Sequence, residues 1–280
     1  MQPCSLVANG NRMHHMHSLK SFVLYLVGFL VLCNSGFSET FRGREISFDH
    51  DVGLYTEAMF AEDFGNVAGY SPGEMSRHQI TEDGTLDVTL LAHELTSAGG
   101  VTASVTLEPC SEYVLQYRIM FPEDFEWAAG GKIPGLAGGK AYTGGRSTED
   151  GDGWSFRVMW HRYKTANGGK PYLCPYVYHY DMPGKYGDGL HSIYTLEKGV
   201  WYTVELHAKM NTAGDHDGSI CMNVDGHTVY ESDQFRWAVK APGLTIDKLL
   251  WNVFRGGSQD HYRASRTCHI LFDDFKIEGH

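Results

Sequence analysis

Lysine, arginine, serine and tyrosine are concentrated between residues 130 and 180 in patterns able to bind an anion and move a proton. Lys132 follows Gly130-Gly131 and precedes Ile133-Pro134, a setting that predicts a loop presenting the amine free of burial. Trp154-Ser155-Phe156-Arg157-Val158-Met159-Trp160 alternates with period two, so Ser155 and Arg157 share one face of a strand. Tyr176-Val177-Tyr178-His179-Tyr180 has the same period and puts three phenols on one face, with His179 turned to the other. If the two strands lie in one sheet, a hydroxyl, a guanidinium and phenols converge beside Lys132. A guanidinium offers a carboxylate a fixed fork of donors. Tyrosine and lysine, with ordinary pKa values of about 10 and about 10.4, become proton-transfer groups when a neighbouring cation lowers them. Hydrolysis of a glycoside would need a pair of carboxylates, and Glu231-Ser232-Asp233 has no further acid at the required interval.

The charges are distributed in keeping with an anionic ligand. The chain carries 23 Lys and Arg against 34 Asp and Glu, a net −11, which argues against nucleic acid as a partner. Residues 131 to 186 reverse the sign, with Lys132, Lys140, Arg146, Arg157, Arg162, Lys164, Lys170 and Lys185 against Glu149, Asp150, Asp152 and Asp181. Such an island steers a polyanion to one cleft. Lys140 and Arg146 are candidates for holding it, with Ser155 on the sheet and Tyr180 at the rim.

Three stretches in order, GGKIPGLAGG, GWSFRVMW and YVYHYDMPGKYGD, resemble the motifs of polysaccharide lyase family 14, which contains molluscan alginate lyases and a chlorella-virus lyase of glucuronan type. The resemblance is close from Phe121 to Gly189 and looser toward the C-terminus. It implies that Lys132, the Ser155/Arg157 pair and the Tyr176/Tyr178 pair are the functional residues. It also implies an anionic polysaccharide substrate, alginate with mannuronate blocks preferred or else glucuronan, cleaved by β-elimination without a metal or organic cofactor. That reaction removes the C5 proton of a 4-linked uronate, develops an enolate on the carboxylate and expels the C4 oxygen. Arg157 suits the carboxylate, and Ser155 or Lys132 could add a hydrogen bond where charge develops. Lys132, Tyr176 and Tyr178 are candidates for base and acid, and the sequence does not assign the roles. The alternative is a lectin-like module that uses the same basic face only to bind.

The elements that must position these residues read as β throughout. Runs at Thr85–Leu90, Thr102–Leu107, Tyr113–Phe121, Trp154–Trp160, Tyr176–Tyr180, Trp201–Ala208, Ser219–Val224 and His269–Ile277 favour strand, and no long stretch has helical periodicity. They predict an all-β chain, an antiparallel β-sandwich of jelly-roll type, as one monomeric catalytic domain over 39–280. Asp225-Gly226 is a hairpin turn signal. Lys20 ahead of the apolar run Phe22–Cys33, with small residues to Ser38, reads as a signal peptide over 1–38, too short to span a bilayer. A secreted, extracellular protein would keep Cys110, Cys174, Cys221 and Cys268, an even set that predicts two disulfides of open connectivity. No cysteine or histidine pair has metal-ligand spacing. His179 is expected to be structural, and the six tryptophans mostly core.

Overall fold

Alternating apolar and polar residues build sixteen strands in the computed structural model, which describes residues 43–162, 167–192 and 194–280. The segment read as a signal peptide lies outside the described residues, as does Lys164 of the basic island. In chain order the strands begin with β1 (Gly43–Ile46), β2 (Gly53–Leu54), β3 (Val67–Ala68), β4 (His78–Ile80) and β5 (Leu86–Leu90). Next come β6 (Val101–Cys110), β7 (Glu112–Met120), β8 (Gly130–Gly139), β9 (Gly153–His161), β10 (Tyr172–Tyr178) and β11 (Asp188–Gly189). The last are β12 (Trp201–Lys209), β13 (Gly218–Val224), β14 (His227–Phe235), β15 (Ile246–Arg255) and β16 (Cys268–Gly279).

They form two antiparallel sheets packed as a jelly-roll-type sandwich. One runs β14-β13-β12-β7-β16-β5-β4-β2 with β1 added on β16, and the other runs β11-β10-β9-β8-β15-β6-β3. Strands β7 and β12 bury every second residue, as expected of a sheet with one face on the core and one in water. In β8, β9 and β10 nearly every residue is buried. That sheet is therefore covered on both faces, by the core on one side and by loops on the other.

The inner faces enclose Leu115, Tyr117, Ile119, Val204, Leu206, Phe156, Val158 and Trp251. A single helix of two turns, α1 (Glu57–Phe64), is capped where the Thr56 hydroxyl accepts the Met59 amide at 3.3 Å. It lays Phe60 and Phe64 against Trp251, with ring centroids 5.5 and 5.2 Å away. Four of the six tryptophans, Trp154, Trp160, Trp237 and Trp251, are wholly buried. The Asp225-Gly226 turn has φ of 51° and 73° and joins Val224 to His227, the two-residue hairpin its sequence predicts.

Two expectations are corrected. The glycine-rich stretch around Lys132 is not a loop but β8, a central strand between β9 and β15. Its glycines are there for close approach: a Cβ on Gly135 would lie 2.0 Å from the Phe156 carbonyl, and one on Gly131 would lie 2.0 Å from the Trp160 indole. Pro134 is tolerated because it occupies a bulge, where the register against β9 shifts between Ile133 and Gly135. Its carbonyl accepts the Tyr117 hydroxyl at 3.0 Å across the core. The bulge also changes the phase of the strand. Ile133, Leu136 and Gly138 stand opposite Val158, Phe156 and Trp154 of the core face, whereas Lys132, Gly135 and Ala137 stand opposite Met159, Arg157 and Ser155.

The expected disulfides are likewise absent, for all four thiols are free. The cysteines are cross-strand partners of other residues. Cys110 faces Ile246, Cys174 faces Met159, Cys221 lies between His207 and Glu231, and Cys268 faces Leu90. No two of them are cross-strand partners.

Candidate active site

On the face of β8, β9 and β10 away from the core, side chains line up in rows across the strands. Ala137, Ser155 and Tyr178 make one row, Gly135, Arg157 and Tyr176 the next, then Lys132, Met159 and Cys174, and last Gly130, His161 and Tyr172. Neighbouring rows are two residues apart on β9 and β10, and on β8 the bulge at Pro134 absorbs the third residue between Lys132 and Gly135, so all of these side chains face the same way. The lysine, arginine and tyrosine pair singled out by sequence are therefore assembled by strand register. Tyr180 lies two residues beyond the end of β10, under the Arg236 guanidinium at 4.8 Å.

A cavity of about 390 Å³ opens over the Lys132 and His161 rows. The sheet contributes Lys132, Met159, His161, Tyr172, Cys174 and Tyr176 to its walls. Strand β11 and its flanking loops contribute Tyr186, Gly187, Gly189 and His191 from one side, and the segment after β15 contributes Gly257, Ser258, Gln259 and Tyr262 from the other. Among these described lining residues none is a carboxylate.

Lys132 is only 7 % exposed, which corrects the expectation of a free loop lysine. Its Nζ lies 4.5 Å over the Tyr176 ring and makes no hydrogen bond or ion pair with a described residue. Burial, reinforced by the Arg157 charge, lowers its pKa from 10.5 to about 7. Arg157 is buried beneath the tyrosines, with its Cζ 5.5 Å from the Tyr176 ring and 5.8 Å from the Tyr178 ring. Burial brings its pKa down to about 10, leaving it a cation at neutral pH. Its Nη1 donates to Asn252 Oδ1 at 3.2 Å, while its Nε is buried without a hydrogen bond. Tyr176 shifts upward, chiefly by burial and then by Tyr178, and stays protonated. Burial and the Lys132 charge lower His161 to about 4, so it is neutral. Burial raises Cys174 to about 12, so it is a thiol.

Tyr178 is 1 % exposed and its hydroxyl accepts the Gly145 amide at 2.8 Å. Two loops meet over it because each has a glycine at the contact. A Cβ on Gly187 would lie 2.6 Å from the Tyr178 ring and 2.9 Å from the Tyr176 ring, and one on Gly145 would lie 2.8 Å from Tyr186.

The four residues expected to bind substrate, Ser155, Lys140, Arg146 and Tyr180, stand apart from the cavity. Ser155 is fully buried and donates its hydroxyl to the Tyr142 carbonyl at 2.7 Å, so it fastens the loop that carries Gly145. Lys140 is exposed and paired with Asp152 at 2.9 Å and Asp150 at 3.4 Å. Arg146 is exposed on the same loop. Tyr180 lines a neighbouring depression with Met182 and Pro183. His179 packs its ring on Phe235 at 4.6 Å, away from the phenols, as expected. Tyr172, His191, Gln259, Tyr262 and Asn252 were not singled out. Only Tyr172 had a legible signal, the same period-two phase as Tyr176 four residues on.

A β-sandwich whose roofed cleft holds a lysine, an arginine and paired tyrosines, without a carboxylate pair, defines an enzyme of the polysaccharide lyase class. The chain belongs to polysaccharide lyase family 14, whose model matches residues 92–275. It is similar to alginate lyase Aly36B, solved as a lysine- and tyrosine-to-alanine double variant in complex with alginate tetrasaccharide. The two are 31 % identical with a TM-score of 0.80, over 85 % of this chain and 97 % of that one. The marine family-14 alginate lyase of Aplysia kurodai shares the fold, at 19 % identity and a TM-score of 0.67, over 84 % of this chain and 98 % of that one. Among curated proteins, the Exolysin of Paramecium bursaria Chlorella virus 1 is 27 % identical over 173 residues, 51 % of this chain. The chain spans about a quarter of that relative's length, 26 %.

Proposed function

We propose that the enzyme cleaves a 4-linked polyuronate, alginate rich in mannuronate, by β-elimination, with Lys132 as base and Tyr176 as acid. The observation that carries this reading is the pair itself. A desolvated amine near neutrality stands against the ring of a phenol held protonated, both open to one cavity. An amine poised near the working pH accepts the C5 proton. Negative charge then grows on the substrate carboxylate in the field of Arg157, whose guanidinium is fixed by Asn252 beneath the Tyr176 and Tyr178 rings. In so dry a setting a preoriented cation stabilises that charge strongly. The Tyr176 hydroxyl delivers its proton to the departing C4 oxygen, and the phenolate is reprotonated from solvent. Tyr178, held by the Gly145 amide, completes the wall that keeps Arg157 from water.

The alginate tetrasaccharide bound to the Aly36B double variant supports alginate as substrate and a lysine and a tyrosine as the reacting groups. The secreted location belongs to the same proposal and rests on the leader-like segment 1–38. Incubation of the purified chain with polymannuronate, polyguluronate and glucuronan, following the ultraviolet absorbance of the unsaturated chain end, tests the function. The rise should be fastest on polymannuronate. Binding without any rise on the three polymers would overturn it.

A further inference from the structure

The Lys132 amine has a property that proton transfer alone does not use. It is buried, unpaired with any described residue, and opens into a cavity large enough for a sugar. A desolvated amine beside a second cation is the arrangement that makes lysine a nucleophile toward carbonyl carbon. The surroundings supply the rest of that chemistry. The described cavity lining has no carboxylate, Arg157 places a positive charge under the Tyr176 ring, and Ser258 and Gln259 offer neutral donors from the facing loop. A small ligand that combines an anionic carboxylate with a neighbouring ketone fits these groups better than a simple ketone does.

We propose that Lys132 is a covalent capture site for 2-oxo acids, which it holds as a ketimine. The Lys132 nitrogen attacks the keto carbon, and its proton passes to the former carbonyl oxygen to give a carbinolamine. The Tyr176 hydroxyl protonates that oxygen, water leaves, and the nitrogen lone pair forms the C=N bond. Loss of the remaining N–H proton restores Tyr176. The sum is amine plus ketone to imine plus water, with nothing oxidised or reduced. The contact at Gly256, where a Cβ would lie 2.9 Å from Nζ, shows why a side chain is missing beside the amine.

The inference rests on the proposed elimination in one respect, the choice of ligand class. An unsaturated uronate monosaccharide is an enol ether, and ring opening converts it to a 5-keto acid whose ketone adjoins its carboxylate. Capture of that species would make the enzyme subject to slow, reversible inhibition by the fate of its own smallest product.

The test uses pyruvate as probe and the full chain at pH about 7, where the free-amine fraction of Lys132 exceeds that of an ordinary lysine by about a thousandfold. Sodium cyanoborohydride reduces the ketimine to an N-(1-carboxyethyl) group that peptide mass mapping locates. Labelling of Lys132 should outpace that of Lys170, Lys185 or Lys198 by at least about tenfold, the rest of the advantage being offset by limited access. Acetone, which lacks the carboxylate, should label Lys132 at least about tenfold more slowly, the scale of one charge-assisted contact. Mannuronate oligomers should protect it in the wild-type chain, and Lys132→Met should lose the label at that position. Labelling that follows exposure, or equal labelling by acetone, would overturn the proposal. Elimination without trapping would remove the capture site and leave the lyase reading intact. Trapping without elimination would uphold the reactive amine and refute the proposed reaction.

Discussion

Replacing Lys132 by methionine should make this protein more stable while abolishing its activity. The amine is 7 % exposed, so solvent screens it little, and its pKa falls from 10.5 in the open chain to about 7 in the fold. At about 1.36 kcal/mol per pKa unit, keeping that charge buried costs about 4 to 5 kcal/mol at any pH below the folded value. Methionine keeps the length of the stem and has no charge to desolvate. It forfeits the cation over the Tyr176 ring, worth about 0.5 to 2 kcal/mol. A net gain of about 2 to 4 kcal/mol at pH 7 remains, which in a domain of this size raises Tm by about 5 to 10 °C. The sign with pH is fixed. Between about 7 and 10.5 the unfolded wild-type chain binds the proton that the folded chain has released, so wild-type stability rises with pH. The advantage of methionine must shrink across that window and vanish near its upper end. Thermal melts of both proteins, at several values from about pH 6 to about pH 9.5, measure it. A variant less stable than wild type at pH 7, or a difference that does not change with pH, would refute the desolvated lysine.

Tyr176→Phe should lose about a hundredfold or more of kcat, the lower range for loss of a general acid, whereas Tyr180→Phe, outside the cavity, should stay within about threefold. Steady-state kinetics on polymannuronate distinguish them, and a dead Tyr180→Phe would shift the site two residues along the chain. The kcat of the wild type should rise through pH about 7 as Lys132 loses its proton, so a profile flat from pH 6 to pH 8 argues against an amine base. Gly135→Ala should prevent soluble folding or cost more than about 3 kcal/mol, since its methyl meets backbone 2.0 Å away. A normal denaturant midpoint would show that β8 can part from β9. KM for alginate should increase with salt, as the screening length shortens from about 10 Å at 0.1 M to about 3 Å at 1 M.

The strands that alternate were legible, because one face in water and one in the core leaves a period of two in the residues themselves. That is why β7, β12 and β13 fall within two residues of expectation at either end, while β9, buried on both faces, was legible from the alternation of Ser155 and Arg157 with apolar residues. Strand β8 was not, since a strand pressed between an indole and two backbones has glycine where a side chain would speak. Strand β10 begins at Tyr172, four residues ahead of the expected start, because Cys174 and Pro175 break the pattern while remaining in the ladder with β9. At the site, residue type and phase placed Arg157, Tyr176 and Tyr178 on one face, as the strand register does, whereas Lys132 stood out by its flanking glycines and was assigned to a loop. Type and phase were insufficient for Ser155, whose hydroxyl is consumed by Tyr142, and for Lys140, which answers to Asp152. The sign and spacing of a side chain do not reveal which neighbour takes it first. Gln259, Tyr262 and Asn252 arrive from distant strands and loops, and only tertiary structure brings them near.

The bulge at Pro134 makes arithmetic part of the active site. Lys132 and Gly135 are three positions apart, an odd interval, yet face the same side because one residue is accommodated out of phase. Pairing Pro134 in the ladder, with no residue left out of phase, would turn Lys132 into the apolar interior and Ile133 out of it, whereas deleting Pro134 would leave both on their present faces. Searches of sequence space for enzymes of this kind should therefore weigh the parity of the interval between the lysine and the following glycine together with the bulge that absorbs an odd count. An insertion or deletion here that no bulge absorbs acts as a frameshift of the fold, silent to a count of matching residues and decisive for the reaction.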